Sequence, residues 1–552
     1  MYSAEPLPHF VDEYLSYLYE AHPTNATFDG VHLHDDLLED LGRQAVDSQV
    51  RDLGGLARRL AAIDPARLTD VERLERPVLE NSLRGRLFEL EEVRTWERNP
   101  QYYADILATS LAGQALFDYA PLAERARRVL SKLRQAPRLI QSARDNIKDP
   151  PGIFVKVGLE SMRGTLRFVE EDLPRVFGDL GDLHLLGDIA DASTEASNAI
   201  SLYIEYLEKD LAPRAKGSFR LGPERFEKKM RLDEGITIGA ERLLAIAMRE
   251  LRQTQEAFRK FASRLNGGDP IAAWTRAKQD HPPAGQLIPV AQQQLDELVD
   301  FLTRQRIITI PQGAAVAVAP TPRFYRWTFA SMWTPGPFEA RPLRAFYYIT
   351  DVEPGWPVER KNEHLRDFNY GALWSISIHE VFPGHFLHYQ HLRQVESKLR
   401  KSILFSSTAF VEGWAHYCEQ MMIEEGFRRD DPQVRLGQLA EALIRLCRFV
   451  VGIRLHCDDL SVEQGVRFFR EEAFLEEPAA RREAERGTFD PSYILYTAGK
   501  LMILKLREDY KAHAGAKYSL RAFHDQLLAN GTVPVWLHRA LLLGEQNGDL
   551  IE

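Results

Sequence analysis

"SISIHEVFPGHFLHYQH" (Ser375–His391) places two histidines around a glutamate at a spacing that one unbroken helix cannot use. In the H-E-x-x-H zinc motif the histidines lie one turn apart on one helix face, with the glutamate beside the zinc-bound water. Here the fourth residue after His379 is Pro383, and the next histidine, His385, comes six residues on. Six residues rotate a helix by about 240°, so the imidazoles would diverge. Proline removes a backbone N–H and clashes with the preceding turn, while glycine relaxes φ. The stretch Phe382–Gly384 therefore predicts a local interruption, after which the helix restarts and His385 returns to the side of His379. Both imidazoles could then reach one zinc ion at about 2.0–2.1 Å.

Two histidines in a hydrolytic zinc site usually take a carboxylate as third ligand. Downstream, "STAFVEGWAHYCEQM" (Ser407–Met421) reads as a two-faced helix. Phe410, Trp414, Tyr417 and Met421 form an apolar stripe; Glu412, His416 and Glu419 form a polar one. Gly413 costs about 1 kcal/mol inside a helix, which argues for close approach of another backbone, and the adjacent Trp414 argues for burial. A buried Glu412 facing two histidines makes sense as a ligand. His416 and Glu419, one and two turns on, are placed to orient a ligand. His388 and His391 read as packing or surface residues.

The whole chain has 552 residues, 44% hydrophobic and 27% charged, which fits an ordinary globular protein with room for two lobes around a deep cleft. Seventy basic against 80 acidic residues give a net charge of −10, and no basic run suggests a nucleic-acid partner. The N-terminal stretch lacks a basic region followed by an apolar one, and no segment reaches the roughly 18 apolar residues of a membrane span, so the expected location is cytoplasmic without a membrane partner. Cys418, Cys447 and Cys457 are an odd set without C-x-x-C and read as reduced thiols.

Helical periodicity runs through most of the chain. Phe10, Val11, Tyr14, Leu15, Leu18 and Tyr19 stop before Pro23, and Leu79, Leu83, Leu87 and Leu90 follow Pro77. The pattern continues through Ala291, Leu295, Leu298, Val299 and Leu302. "RIITIPQGAAVAVAPTP" (Arg306–Pro322) and "RAFYYIT" (Arg344–Thr350) then read as strands, with "MWTPGPFEARP" between them as loop. Helix returns after "DVEPGWP", with breaks expected near Gly426–Pro432 and Glu476–Pro491. The expected organisation is an N-terminal helical lobe over 1–305 and a catalytic lobe over 306–552 with a small sheet beside the active-site helix; one continuous domain is equally compatible.

"HEVFPGH" (His379–His385) followed by "EGWAHY" (Glu412–Tyr417) resembles the H-E-x-x-P-G-H and E-G-W-A-x-Y signatures of the family called domain of unknown function 885, a mainly bacterial group in the zincin-type metallopeptidase clan. "FYYIT", "RLCRFVVGIRLH" (Arg445–His456) and "SYILYTAGKLMILKLRE" (Ser492–Glu508) follow the family's order. The resemblance implies a mainly α-helical, zincin-like fold, with His379, His385 and Glu412 as metal ligands and Glu380 as catalytic base. It also points to Tyr493, with Tyr496 and His456 behind it, as donor to the oxyanion. The chain departs from the family where R-Y and then P-G-Q is common, reading Ser492–Tyr493 and then "TAGK", and where D-x-G-x-H is common, reading "VGIRLH".

The chemistry these residues imply is hydrolysis of short or unfolded peptides by a zinc-activated water, with Glu380 taking its proton. A non-peptide amide or ester substrate, and a non-catalytic metal-stabilised binding protein, are the competing readings. A basic residue for a terminal carboxylate would favour exopeptidase action, with Arg323, Arg326 and Lys500 as candidates.

Overall fold

Helix boundaries along the chain follow local side-chain chemistry, and one of them corrects the sequence reading. The helix expected to follow Pro77 begins at Asp70 and carries Pro77 inside it. Thr69 accepts from the Glu72 N–H while Glu72 reaches back to the Thr69 N–H, a reciprocal cap strong enough to start the helix two turns before the proline. The computed structural model describes residues 6–266, 269–313, 315–322, 329–544 and 550–552.

The described residues are mainly α-helical. Their one sheet has three strands: β1 (Val316–Pro320), β2 (Ala330–Trp333) and β3 (Ala345–Ile349), in the order β1-β3-β2. β1 pairs in parallel with β3, and β2 antiparallel with it. β1 and β3 lie within the two strand-like runs. β2 includes Met332 and Trp333, which read as loop from sequence, because four residues on an edge carry too little alternation to stand out. The Glu476–Pro491 break is also mostly helix, Glu477–Phe489.

Three apolar clusters organise the molecule. One gathers residues from Leu38 to Leu211, packing helices Pro100–Leu116, Leu122–Asn146 and Leu183–Tyr206 through Leu107, Leu133 and Ala196. A larger one runs from Leu221 to Ile551 and contains both the sheet and the motif helices. The third joins Leu15, Leu60 and Leu79 near the N-terminus to Phe405 and Leu537. The division placed at residue 305 does not coincide with a break between cores. Helix Ala240–Asn266 lies along Pro432–Cys457, burying Ile246, Leu251 and Phe258 in the cluster that holds Trp414 and Leu443. The change between cores falls between Leu211 and Leu221, because the apolar faces of the helices from Pro223 onward point at the motif core.

Candidate metal centre

The helix Tyr370–Glu380 ends on the motif's glutamate, and a second helix starts at His385. Between them the chain folds back over the first helix: the Gly384 N–H donates to Ile378 O at 3.0 Å and the Leu387 N–H to Val381 O at 3.2 Å. A Cβ at Gly384 would stand 1.8 Å from His379 O, so this close return admits only glycine. The Pro383 carbonyl accepts from Trp414 Nε1 at 2.9 Å, which ties the turn to the helix Thr408–Glu424. The interruption therefore has the predicted place and consequence.

Helix Thr408–Glu424 is held by an equally close contact. A Cβ at Gly413 would lie 2.5 Å from Gly499 C, and one at Gly499 would lie 1.8 Å from Ala409 O, so this helix and Leu495–Ala514 touch backbone to backbone. The apolar stripe Phe410, Trp414, Tyr417 and Met421 is completely buried. The polar stripe turns toward the motif helices rather than toward solvent.

His379, His385 and Glu412 converge at one point. Glu412 Oε2 lies 3.4 Å from Nε2 of His379 and 3.4 Å from Nε2 of His385, yet it makes no hydrogen bond. Ligand atoms at about 2.0–2.1 Å around a tetrahedral zinc ion are about 3.3 Å apart, so the separation suits donors that share an ion. The imidazole planes stand at 88°, with ring centroids 4.8 Å apart.

His379 Nδ1 donates to Glu419 Oε1 at 2.7 Å, which leaves Nε2 facing His385 and Glu412. Glu419 is completely buried and is held by Ser375 Oγ at 3.1 Å, Arg445 Nη2 at 3.2 Å and His416 Nδ1 at 3.3 Å. Burial raises the Glu419 carboxyl, but Arg445 more than offsets this and the carboxyl is held well below the usual range. Burial likewise opposes the charge on Glu412, but His385 and His379 pull its carboxyl well down. Burial disfavours a charged His379, whereas Glu412 and Glu419 raise its pKa to about 9. The two carboxylates thus create a potential that favours a cation at the imidazoles. His416 is pushed down to about 3 by burial and by Lys500, and is neutral.

Glu380 closes its helix next to His379, and its charge is felt by the buried Tyr347 phenol of β3, which lies 3.3 Å from Ser377 Oγ. The sheet accordingly borders the motif helix, as expected.

The two tyrosines lie in different surroundings. Tyr493 is completely buried away from the cluster, packed against Gly452 and with its hydroxyl against Gly487, where it finds no hydrogen-bond partner. Tyr496, three residues on, stacks its ring on His379 at 6.2 Å and 15°, and burial, followed by the nearby Glu412 charge, raises its phenol. His456 bonds Gly487 O at 2.8 Å and stacks on Phe226, also away from the three converging residues. His388 is completely buried against Phe410, and His391 bonds Thr309 O at 2.8 Å, so both are packing residues. Lys500 is buried near Glu419, and Arg323 and Arg326 lie outside the described residues. Tyr389, which carries no motif signal, feels the Glu412 charge; it sits one turn after His385, and that helical spacing is the one feature of the sequence that points to it.

A solved structure from Shewanella oneidensis, described as a "putative lipoprotein of unknown function", matches this chain with a TM-score of 0.80 at 25% identity, covering 98% of this chain and 100% of that one. The crystal structure of a "putative lipoprotein" from Colwellia psychrerythraea matches with a TM-score of 0.80 at 17% identity, over 97% and 98%, a likeness of fold alone. No curated protein matches the chain significantly. The model of the family described as "Bacterial protein of unknown function (DUF885)" matches residues 23–541, so the chain belongs to that family.

Proposed function

We propose that this protein is a zinc-dependent, zincin-like metallopeptidase acting on short or unfolded peptides. The observation that carries the reading is the convergence of His379 Nε2, His385 Nε2 and Glu412 Oε2 with no hydrogen bond to explain their spacing. These three residues would hold the ion. When bound, it supplies Lewis acidity, polarising a scissile carbonyl and making a water molecule acidic near neutral pH.

The chain's own residues do the rest. Glu380 takes a proton from the attacking water and returns it to the leaving amine. Tyr496 donates a hydrogen bond to the oxyanion as it forms, held against His379 by its ring and within 3.4 Å of Arg486 Nη2 at its hydroxyl. Glu419, fixed by Arg445, keeps His379 in the tautomer and rotation that face the ion. Limited exposure of His385 and Glu412, 13% and 22%, favours a chain that can thread to them over a folded protein surface.

Among the described residues no helix is long and apolar enough to cross a membrane. The similar Shewanella oneidensis structure is described as a "putative lipoprotein", which favours a location at the cell envelope over the cytoplasmic one expected from the sequence; fractionation of producing cells would decide.

Elemental mass spectrometry of protein purified without chelator, beside its His385→Ala variant, tests the metal assignment. About one zinc per chain, lost in the variant, is expected. A folded wild type that takes up no zinc on reconstitution would overturn the reading.

A further inference from the structure

The Tyr496 hydroxyl makes one hydrogen bond among the described residues, with Arg486 Nη2 at 3.4 Å. A guanidinium carries donors only, so the phenol oxygen accepts in that pair and its own O–H is left for another acceptor. The ring lies over His379 at 6.2 Å and the Glu412 charge acts on the phenol, so this unspent proton sits beside the converging residues.

Arg486 is itself held. Its Nε and Nη2 lie 3.0 and 2.9 Å from Asp490 Oδ2, one turn on, where the helix Glu477–Phe489 ends. From Asp490 the chain runs through the short turn Pro491–Ile494 into the helix Leu495–Ala514, whose second residue is Tyr496. One short segment therefore carries the donor, its anchor and the phenol. The ring is met from a different element. Arg448, on the helix Pro432–Cys457, has its guanidinium carbon 5.1 Å from the Tyr496 ring centroid, and its Nε and Nη2 lie 2.6 and 2.8 Å from the two oxygens of Glu483. Because Asp490 and Glu483 already neutralise these two arginines, neither suits a substrate carboxylate; what they supply is fixed geometry around Tyr496.

We propose that Arg486 is a positioning residue for hydrolysis: its N–H on the Tyr496 oxygen leaves the phenol proton free to meet the oxyanion, with Asp490 fixing the guanidinium and Arg448 the ring. The tyrosine keeps its proton throughout and donates a hydrogen bond that strengthens as the carbonyl oxygen becomes charged. This role rests on the peptidase reading and on Tyr496 as the oxyanion donor.

A double-mutant cycle on the zinc-loaded full chain tests it, with the fastest-cleaved member of a set of internally quenched peptides as substrate. Arg486→Gln should lower kcat about tenfold with KM and zinc content unchanged, the signature of help given only in the transition state. In a Tyr496→Phe background the same substitution should change kcat by less than about twofold, because the hydroxyl it serves is already gone. A merely structural tie at the end of the helix would lower activity equally in both backgrounds. That result, or wild-type kcat in Arg486→Gln, overturns the role of Arg486 and leaves the peptidase standing. If Arg486→Gln does not fold, as its melting curve would show, Asp490→Asn keeps the guanidinium but loosens it, and takes its place in the same cycle with the same two outcomes. A zinc-loaded wild type that hydrolyses no peptide overturns the peptidase reading, and this role with it.

Discussion

His379 Nδ1 and Glu419 Oε1 lie 2.7 Å apart, joining a candidate metal ligand to a carboxylate with no exposed surface. Such a pair fixes which ring nitrogen carries the proton, and so which one is free to bind a cation. Glu419→Gln keeps the shape but weakens the hold on that proton, and zinc affinity should fall about 10–100-fold. Competition with a chromophoric chelator measures this, and unchanged affinity would remove Glu419 from the site.

Glu380→Gln is expected to bind zinc like the wild type and to lose about 10²–10⁴-fold in kcat, since it deletes only the proton carrier. Loss of zinc in this variant would make Glu380 a ligand and sink its assignment as base.

The two tyrosines should separate cleanly. Tyr496→Phe removes a hydroxyl beside the cluster and is expected to lower kcat about 10–100-fold with little change in KM. Tyr493→Phe removes a buried hydroxyl that has no hydrogen-bond partner, so stability should stay level or rise by about 1 kcal/mol and activity should hold. The reverse pattern in kinetics would return the oxyanion role to Tyr493.

Gly384→Ala tests the return of the chain over His379. With a Cβ at 1.8 Å from a carbonyl oxygen the turn has to open, at a cost on the order of 3 kcal/mol, and His385 should leave its partners. Urea denaturation and zinc content should fall together. A variant that kept full zinc affinity would mean that the turn is not what positions His385.

Glu234 makes stability depend on pH. It caps the helix that carries Glu412, accepting from the Ala409 N–H at 3.1 Å and contacting Ser407 Oγ. Burial is the main effect on it, partly opposed by those contacts, and raises its pKa from 4.5 to about 8. Between those values the folded chain keeps a proton that the unfolded chain has released, so stability falls as pH rises through the window and levels off above it. The melting temperature of the wild type should decline from about pH 5 to about pH 8, and Glu234→Gln should flatten that part of the profile. A variant whose profile parallels the wild type would assign the dependence to another group.

Much of the helical framework is legible in the sequence because apolar residues recur with the helical period over long stretches, and that signal survives any tertiary arrangement. Boundaries are less so. Pro77 reads as a helix start, but the Thr69–Glu72 cap outweighs the single N–H that proline removes. β2 does not stand out because edge strands of four residues are defined by their partner, here Ala345–Ile349. The boundary at residue 305 follows a change in composition, whereas the cores divide where helix faces change partner.

Within the candidate site, the sequence by itself determined the set of candidate donor types and the need for a turn at Pro383–Gly384, since both follow from local stereochemistry and donor chemistry. Gly413 beside Trp414 likewise marks a buried, closely packed helix through local chemistry alone. Only the tertiary structure decided that Tyr496 rather than Tyr493 faces His379 and that Glu419 takes the Nδ1 proton. Each of those depends on how separate elements dock, through contacts such as Gly413 on Gly499, and two tyrosines three residues apart give the sequence no sign of which of them meets His379.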